Sequence, residues 1–158
     1  ASMRRRPDAA LEVALEQRQR VMDDAQAVLS QRERALAEQV EAVMAARARV
    51  SAVLMQMDAA QRPTVGVALP IAVLSDLETL LDWCEVQVLV QEQRLGEVQA
   101  QADVARGELA TAHQSVRALE LVLEARRAER DEKVRREELR MADETAARVH
   151  SQKALLAR

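Results

Sequence analysis

The sequence predicts an all-α fold: a two-helix antiparallel coiled-coil hairpin with unequal helices, the second overhanging at the C-terminus. Three observations lead there. Ala, Glu, Arg, Leu, Gln and Val dominate the 158 residues, with only three Gly and three Pro, a composition typical of long helices and coiled coils. Apolar residues recur every seventh position over two long stretches, which is the seam of a coiled coil. Between those stretches lies "PTVGVALPIAVL", residues 63–74, with no charged side chain in a chain that is 31% charged. Trp83 is the one aromatic residue, so a thick core is hard to fill, whereas a narrow seam needs only Leu, Val, Met and Ala.

Ala1-Ser2, ahead of Met3, reads as a cloning remnant and is set aside. Residues 3–62 form the first helix. Its a positions are Leu15, Met22, Leu29, Leu36, Val43, Val50 and Met57, all apolar, while its d positions include Arg18, Arg32 and Gln39. No Gly or Pro falls between Asp8 and Arg62, so one continuous helix of about 80 Å is expected from a rise of about 1.5 Å per residue. Pro7-Asp8 marks its start and Pro63 its end.

Residues 63–74 are the uncharged turn. Ser75-Asp76-Leu77-Glu78 is a capping box that opens the second helix over 75–126, although Pro70 at a first helical position allows a start one turn earlier. Its a positions are Leu74, Leu81, Val88, Leu95, Ala102, Leu109, Val116 and Leu123. Gly96 and Gly107 each weaken it by about 1 kcal/mol relative to Ala, and suggest a bend or a close approach.

Facing seam positions must fill space together. Setting Leu29 against Ala105, Met22 against Ala112, Ala25 against Leu109 and Arg32 against Ala102 puts large against small in every layer. Sliding by one heptad sets Ala25 against Ala102 and leaves a hole. The preferred register places Asp8 opposite Arg126, so residues 127–158 have no partner in the chain and overhang by roughly 45 Å. Two readings of that segment stand: a frayed, solvated tail, or a peg that enters something ring-shaped or grooved. Its apolar residues, Val134, Met141, Val149 and Leu156, form one sparse line, which leaves an isolated helix marginal.

Chemistry is not evident. Gly66, Gly96 and Gly107 stand alone, so there is no phosphate loop. His113 and His150 lack neighbours at metal-ligand spacing. Cys84 falls at a d position, without a His to activate it; alone, it excludes an internal disulfide and suits a reducing cytosol. No catalysis, cofactor or metal is expected. Net charge is −3 with the signs interspersed, and "RRAERDEKVRRE" alternates acids with bases and offers no aromatic to stack a base, so nucleic acid is not expected as a partner. Arg18 and Arg32 are expected to snorkel to flanking carboxylates. No apolar run approaches the roughly 18 residues of a membrane span. The basic residues after Met3 are followed by no apolar segment, so neither a signal peptide nor direct membrane insertion is expected.

One anomaly remains, near the turn. In "LETLLDWCEVQVLVQ" the seam is filled by Leu77, Leu81, Cys84 and Val88, yet Leu80, Trp83, Val86, Leu89 and Val90 are also apolar. Trp83, Val86 and Val90 form a second stripe on the outward face. Leu54 and Met55 add to it from the first helix, and Val65, Val67, Leu69, Ile71 and Val73 from the turn. Either the turn folds back and caps the stripe, or the stripe is exposed as a docking patch.

A short basic start, Arg4-Arg5-Arg6, then an Ala/Leu/Arg-rich helix, an apolar turn, and a longer helix ending in "ARRAERDEKVRREELRMADETAARV" resemble the FliJ/YscO family of coiled-coil stalk proteins of type III secretion. The composition looks closer to the virulence branch than to the flagellar one. The resemblance implies a non-enzymatic central stalk, cytoplasmic and peripheral to the secretion apparatus at the inner membrane. It implies as partners the hexameric secretion ATPase, an export gate protein and export chaperones. The ring-facing residues would be Arg4, Arg5, Arg6, Arg126, Arg127, Arg130, Arg135, Arg136 and Arg140. The tip residues, Leu54, Met55, Val65, Leu69, Leu80, Trp83, Val86, Leu89 and Val90, would face the gate. The alternative is a structural coiled-coil spacer or a self-associating scaffold.

Overall fold

The computed structural model describes residues 6–157. Among them it contains two helices and no strand: α1, Ala9–Gln61, and α2, Ile71–Leu156. They form the antiparallel hairpin with the longer second helix. The chain divides into two compact units, one holding the residues up to Val21 and those from Ala112 onward, the other Met22–Thr111.

The start of α1 follows from Pro7-Asp8. The Glu12 N–H donates to the Asp8 carbonyl at 2.9 Å and the Ala9 N–H to the Arg6 carbonyl at 3.0 Å, closing the first turn. Proline just before it has no N–H to leave unsatisfied, and Glu12 in the first turn suits the positive end of the helix dipole. At the other end the Arg62 N–H tightens onto the Ala59 carbonyl at 3.4 Å, and Pro63 disfavours a helical conformation for the residue before it.

The turn belongs to the second unit. The Val67 N–H donates to the Thr64 carbonyl at 3.2 Å, and Gly66 sits at φ 82°. A type II turn requires positive φ at this third position, and only glycine adopts it without strain. The Leu74 N–H then donates to the Pro70 carbonyl at 3.0 Å. That bond opens α2 at Ile71, one turn before the capping box. Ser75 stands inside the helix, its carbonyl accepting from the Thr79 hydroxyl at 3.2 Å. Both Pro70 and Ser75 carry a valid local start signal; the proline, with its φ already near the helical value, lets the chain begin earlier.

The core is a thin line. In the second unit the buried residues are Leu29, Val43, Ala46 and Val53 of α1 and Cys84, Ala102 and Ala105 of α2. Arg32 reaches Gln101, the neighbour of the Ala102 that the expected register sets against it, and donates to its side-chain oxygen at 3.0 Å. In the first unit Ala112, Val116, Leu119 and Leu123 are buried, and Arg18 donates to the Ser115 carbonyl at 2.9 Å. The two seam arginines thus correct the expectation of flanking carboxylates. Each extends its guanidinium across the seam to a neutral oxygen on the opposite helix, since a residue at a d position points at the facing helix. Gln39 completes the polar set, its amide donating to both the carbonyl and the side-chain oxygen of Gln91 at 3.0 and 2.8 Å. Among the described residues no buried side-chain polar atom lacks a partner.

Leu123 is the last buried residue, and every residue from Lys133 to Ala157 is exposed. As far as Arg140, α2 carries ion pairs of its own. Lys133 pairs with Glu129 at 3.9 Å, Arg135 and Arg136 both with Glu132 at 3.6 and 3.3 Å, and Arg140 with Glu137 at 3.4 Å. In each pair the acid precedes the base by three or four residues, the favourable order along a helix, at about 0.3–0.5 kcal/mol per pair.

Candidate functional site

The turn-bearing unit carries the largest apolar exposure. Leu54, Met55, Leu69, Leu80, Trp83, Val86 and Leu89 are exposed, and Val65 wholly so. Val90 is half-buried. The turn does not fold back as a cap: every residue from Gln61 to Val73 is itself exposed, and Trp83 remains 55% exposed. The physical reason lies in the main-chain bonds above. They close the connection locally at Thr64–Val67 and at Leu69–Leu74, and leave too little chain to reach along the outer face.

The named tip residues do not form one surface. Leu80, Trp83, Val86 and Val90 follow helical spacing along the outward side of α2. Leu89 lies instead in a shallow groove between the helices, lined by Arg47, Val50, Glu85, Val88 and Glu92. Arg47 and Glu92 bridge that groove at 2.8 Å. The turn has its own depression, lined in part by Ala59, Thr64, Val67, Leu69 and Pro70. What the sequence reading missed is the charge around the stripe. Asp76, Glu78, Asp82 and Glu85 are all exposed and enter no ion pair among the described residues. Scanning for the sign of charge, and not only for its absence, would have found them.

The unit that holds both chain ends carries the arginines. Arg4 and Arg5 lie outside the described residues. Arg6 is exposed, and its carbonyl serves the first turn of α1. Asp8 is 5% exposed and accepts two guanidinium groups, Arg126 at 3.6 Å and Arg130 closer still. The expected opposition of Asp8 and Arg126 is therefore an ion pair, and the second partner stands one helical turn further along α2. A carboxylate so far removed from water is tolerated because two cations compensate it. Arg127 is exposed. Arg135 and Arg136 share Glu132, and Arg140 pairs with Glu137; each stays largely exposed and can exchange that partner for one on another molecule.

Among the described residues no group of three or more His, Cys, Asp or Glu could hold a metal ion, and no helix is long and apolar enough to cross a membrane. Cys84 is buried in the seam. What the geometry offers is two exposed surfaces: an apolar stripe in one unit, and a charged helical segment in the other.

These features define a class, the coiled-coil hairpin proteins. Within that class the chain matches the family model described as Flagellar FliJ protein over residues 7–155, nearly its whole length. It belongs to the FliJ family, a non-enzymatic structural family related to the stalk of flagellar and type III export and associated with components of the export apparatus. No curated protein matches the chain. No solved structure matches it either.

Proposed function

We propose that this protein is the central stalk of a type III secretion system, of the virulence branch. The exposed C-terminal part of α2 enters the pore of the hexameric secretion ATPase. The apolar surface near the turn engages the export gate protein and export chaperones. The protein hydrolyses nothing; it binds the ring, biases its nucleotide states and relays them to the gate, working on the cytoplasmic side at the inner membrane. The observation that carries this reading is the stretch Lys133–Ala157: helical to Leu156 and exposed throughout, in a chain that matches the FliJ family over residues 7–155. A helix held by its own ion pairs, presenting Arg135, Arg136 and Arg140, fits a pore lined with alternating subunits, where successive states offer different carboxylates.

The test is stimulation of ATP hydrolysis by the purified secretion ATPase. The full chain is expected to raise the rate, and deletion of residues 133–158 to abolish the rise. This truncation leaves Asp8, Arg126 and Arg130 in place, so the paired part of the hairpin keeps its fold, as far-ultraviolet circular dichroism will check. Undiminished stimulation by the truncated chain would remove the pore assignment. A spacer or scaffold reading separates by light scattering: the stalk is expected at its monomer mass of 17.6 kDa, the scaffold at a multiple of it.

A further inference from the structure

From Pro63 to Gln93 the chain carries no basic residue, and five acids: Asp76, Glu78, Asp82, Glu85 and Glu92. Only Glu92 is compensated, by Arg47 at 2.8 Å. The nearest cation before this stretch, Arg62, is engaged by Asp58 at 3.2 Å. Four acids are thus left exposed and without ion-pair partners among the described residues. They flank the apolar stripe by helical spacing: Asp76 stands one turn before Leu80 and Asp82 one turn before Val86, Glu78 stands one turn before Asp82, and Glu85 continues that edge into the groove of Leu89. Elsewhere acids outside any ion pair among the described residues, such as Asp23, Glu38 and Glu108, stand within four residues of an arginine, whereas no base stands so near Asp76, Glu78, Asp82 or Glu85. A run of acids with no base among them thus coincides with the exposed apolar side chains Leu80, Trp83 and Val86.

We infer that the stripe of Leu80, Trp83, Val86 and Val90 docks on a protein surface whose apolar groove is bordered by Lys or Arg side chains, the acids Asp76, Glu78, Asp82 and Glu85 meeting that border. The inference rests on the docking role proposed above for the turn-bearing unit and adds the chemistry of the partner. An apolar stripe alone does not choose among protein surfaces. Opposed charges at its rim steer the encounter, fix its orientation and reject surfaces of the wrong sign. They also turn the stripe away from an anionic lipid surface, whose potential attracts bases and repels acids. The acids need not add much affinity once water is excluded; their effect falls on the rate of association and on its dependence on salt.

The experiment measures binding of the full chain to the cytoplasmic domain of the export gate protein by biolayer interferometry. Kd is expected to rise about tenfold between roughly 50 mM and 500 mM NaCl, as screening removes the rim contribution. The variant Asp76→Asn, Glu78→Gln, Asp82→Asn, Glu85→Gln is expected to bind about tenfold more weakly at the lower salt, with a flat salt response and unchanged helicity. Binding by this variant equal to that of the parent overturns the inference, and shows the acids only keep the stripe in solution. Trp83→Ala and Val86→Asp test the docking role separately: if both retain full binding, that role falls and the rim goes with it. Absence of any binding to the gate domain removes both. As the single aromatic residue, Trp83 also reports on lipid. Its emission is expected to stay unshifted with phosphatidylglycerol vesicles, and a blue shift there would replace the protein partner with a membrane.

Discussion

Gly96 and Gly107 stand within α2, and a Cβ built on either meets nothing within 4 Å. From spacing alone each was a candidate for a bend or a close approach; the empty surroundings exclude the approach. Each therefore costs the helix its backbone freedom without a packing gain in return. Replacing either by Ala is expected to stabilise the protein by about 1 kcal/mol, seen as a rise in Tm by circular dichroism. The two sites lie three turns apart on one helix, so their effects should add. A loss of stability in either variant would show that the glycine serves a conformation other than the straight helix. Arg18 and Arg32 teach the converse. Their place in the seam was legible in the sequence, but their acceptors, the Ser115 carbonyl and the Gln101 side chain, belong to the opposite helix. Spacing along one strand of sequence carries no information on which atoms the other brings within reach.

At the scale of the helices, legibility tracks how local the cause is. The heptads of α1 and α2 could be read directly, because a seven-residue period needs no knowledge of the partner. The start of α2 was less legible, since Pro70 and Ser75 both signal a beginning and the Leu74 to Pro70 bond decides between them. The layer of Gln39 and Gln91 is another cross-helix fact. Its two hydrogen bonds are lost if either helix slides by a heptad, while an all-apolar seam tolerates the slide. Polar residues at such positions fix register at a cost in stability. Gln39→Leu combined with Gln91→Leu is therefore expected to raise stability by about 1 kcal/mol. It should also lose uniqueness, giving more than one set of backbone amide resonances for residues around the layer. A single set, at the parent's dispersion, would mean that the large-against-small packing of residues such as Leu29 and Ala105 holds the register unaided.

At the scale of the molecule, the sequence revealed the family through pattern and length, and the family match extends over residues 7–155. The surfaces were legible only in part. The apolar stripe could be seen at its helical spacing, but its exposure depended on where the turn closed, and the ion pairs of the C-terminal segment depended on rotamers. Those ion pairs imply that stability is distributed unevenly. Around Leu29, Val43, Val53, Cys84 and Ala102 the helices are held by buried apolar side chains, which salt does not weaken. Between Glu129 and Arg140 the helix draws on pairs such as Arg136 with Glu132, which 1 M salt screens down to a Debye length of about 3 Å. Amide hydrogen exchange followed by mass spectrometry is therefore expected to accelerate roughly fivefold in residues 129–140 on going from low salt to 1 M, from about 1 kcal/mol of lost pairing. Amides between Val43 and Val53 should change less than about twofold. An equal response in the two regions would mean that the exposed helix draws its order from something other than its charge ladder, and the choice of Arg135, Arg136 and Arg140 as freely exchangeable contacts for a ring would lose its physical basis.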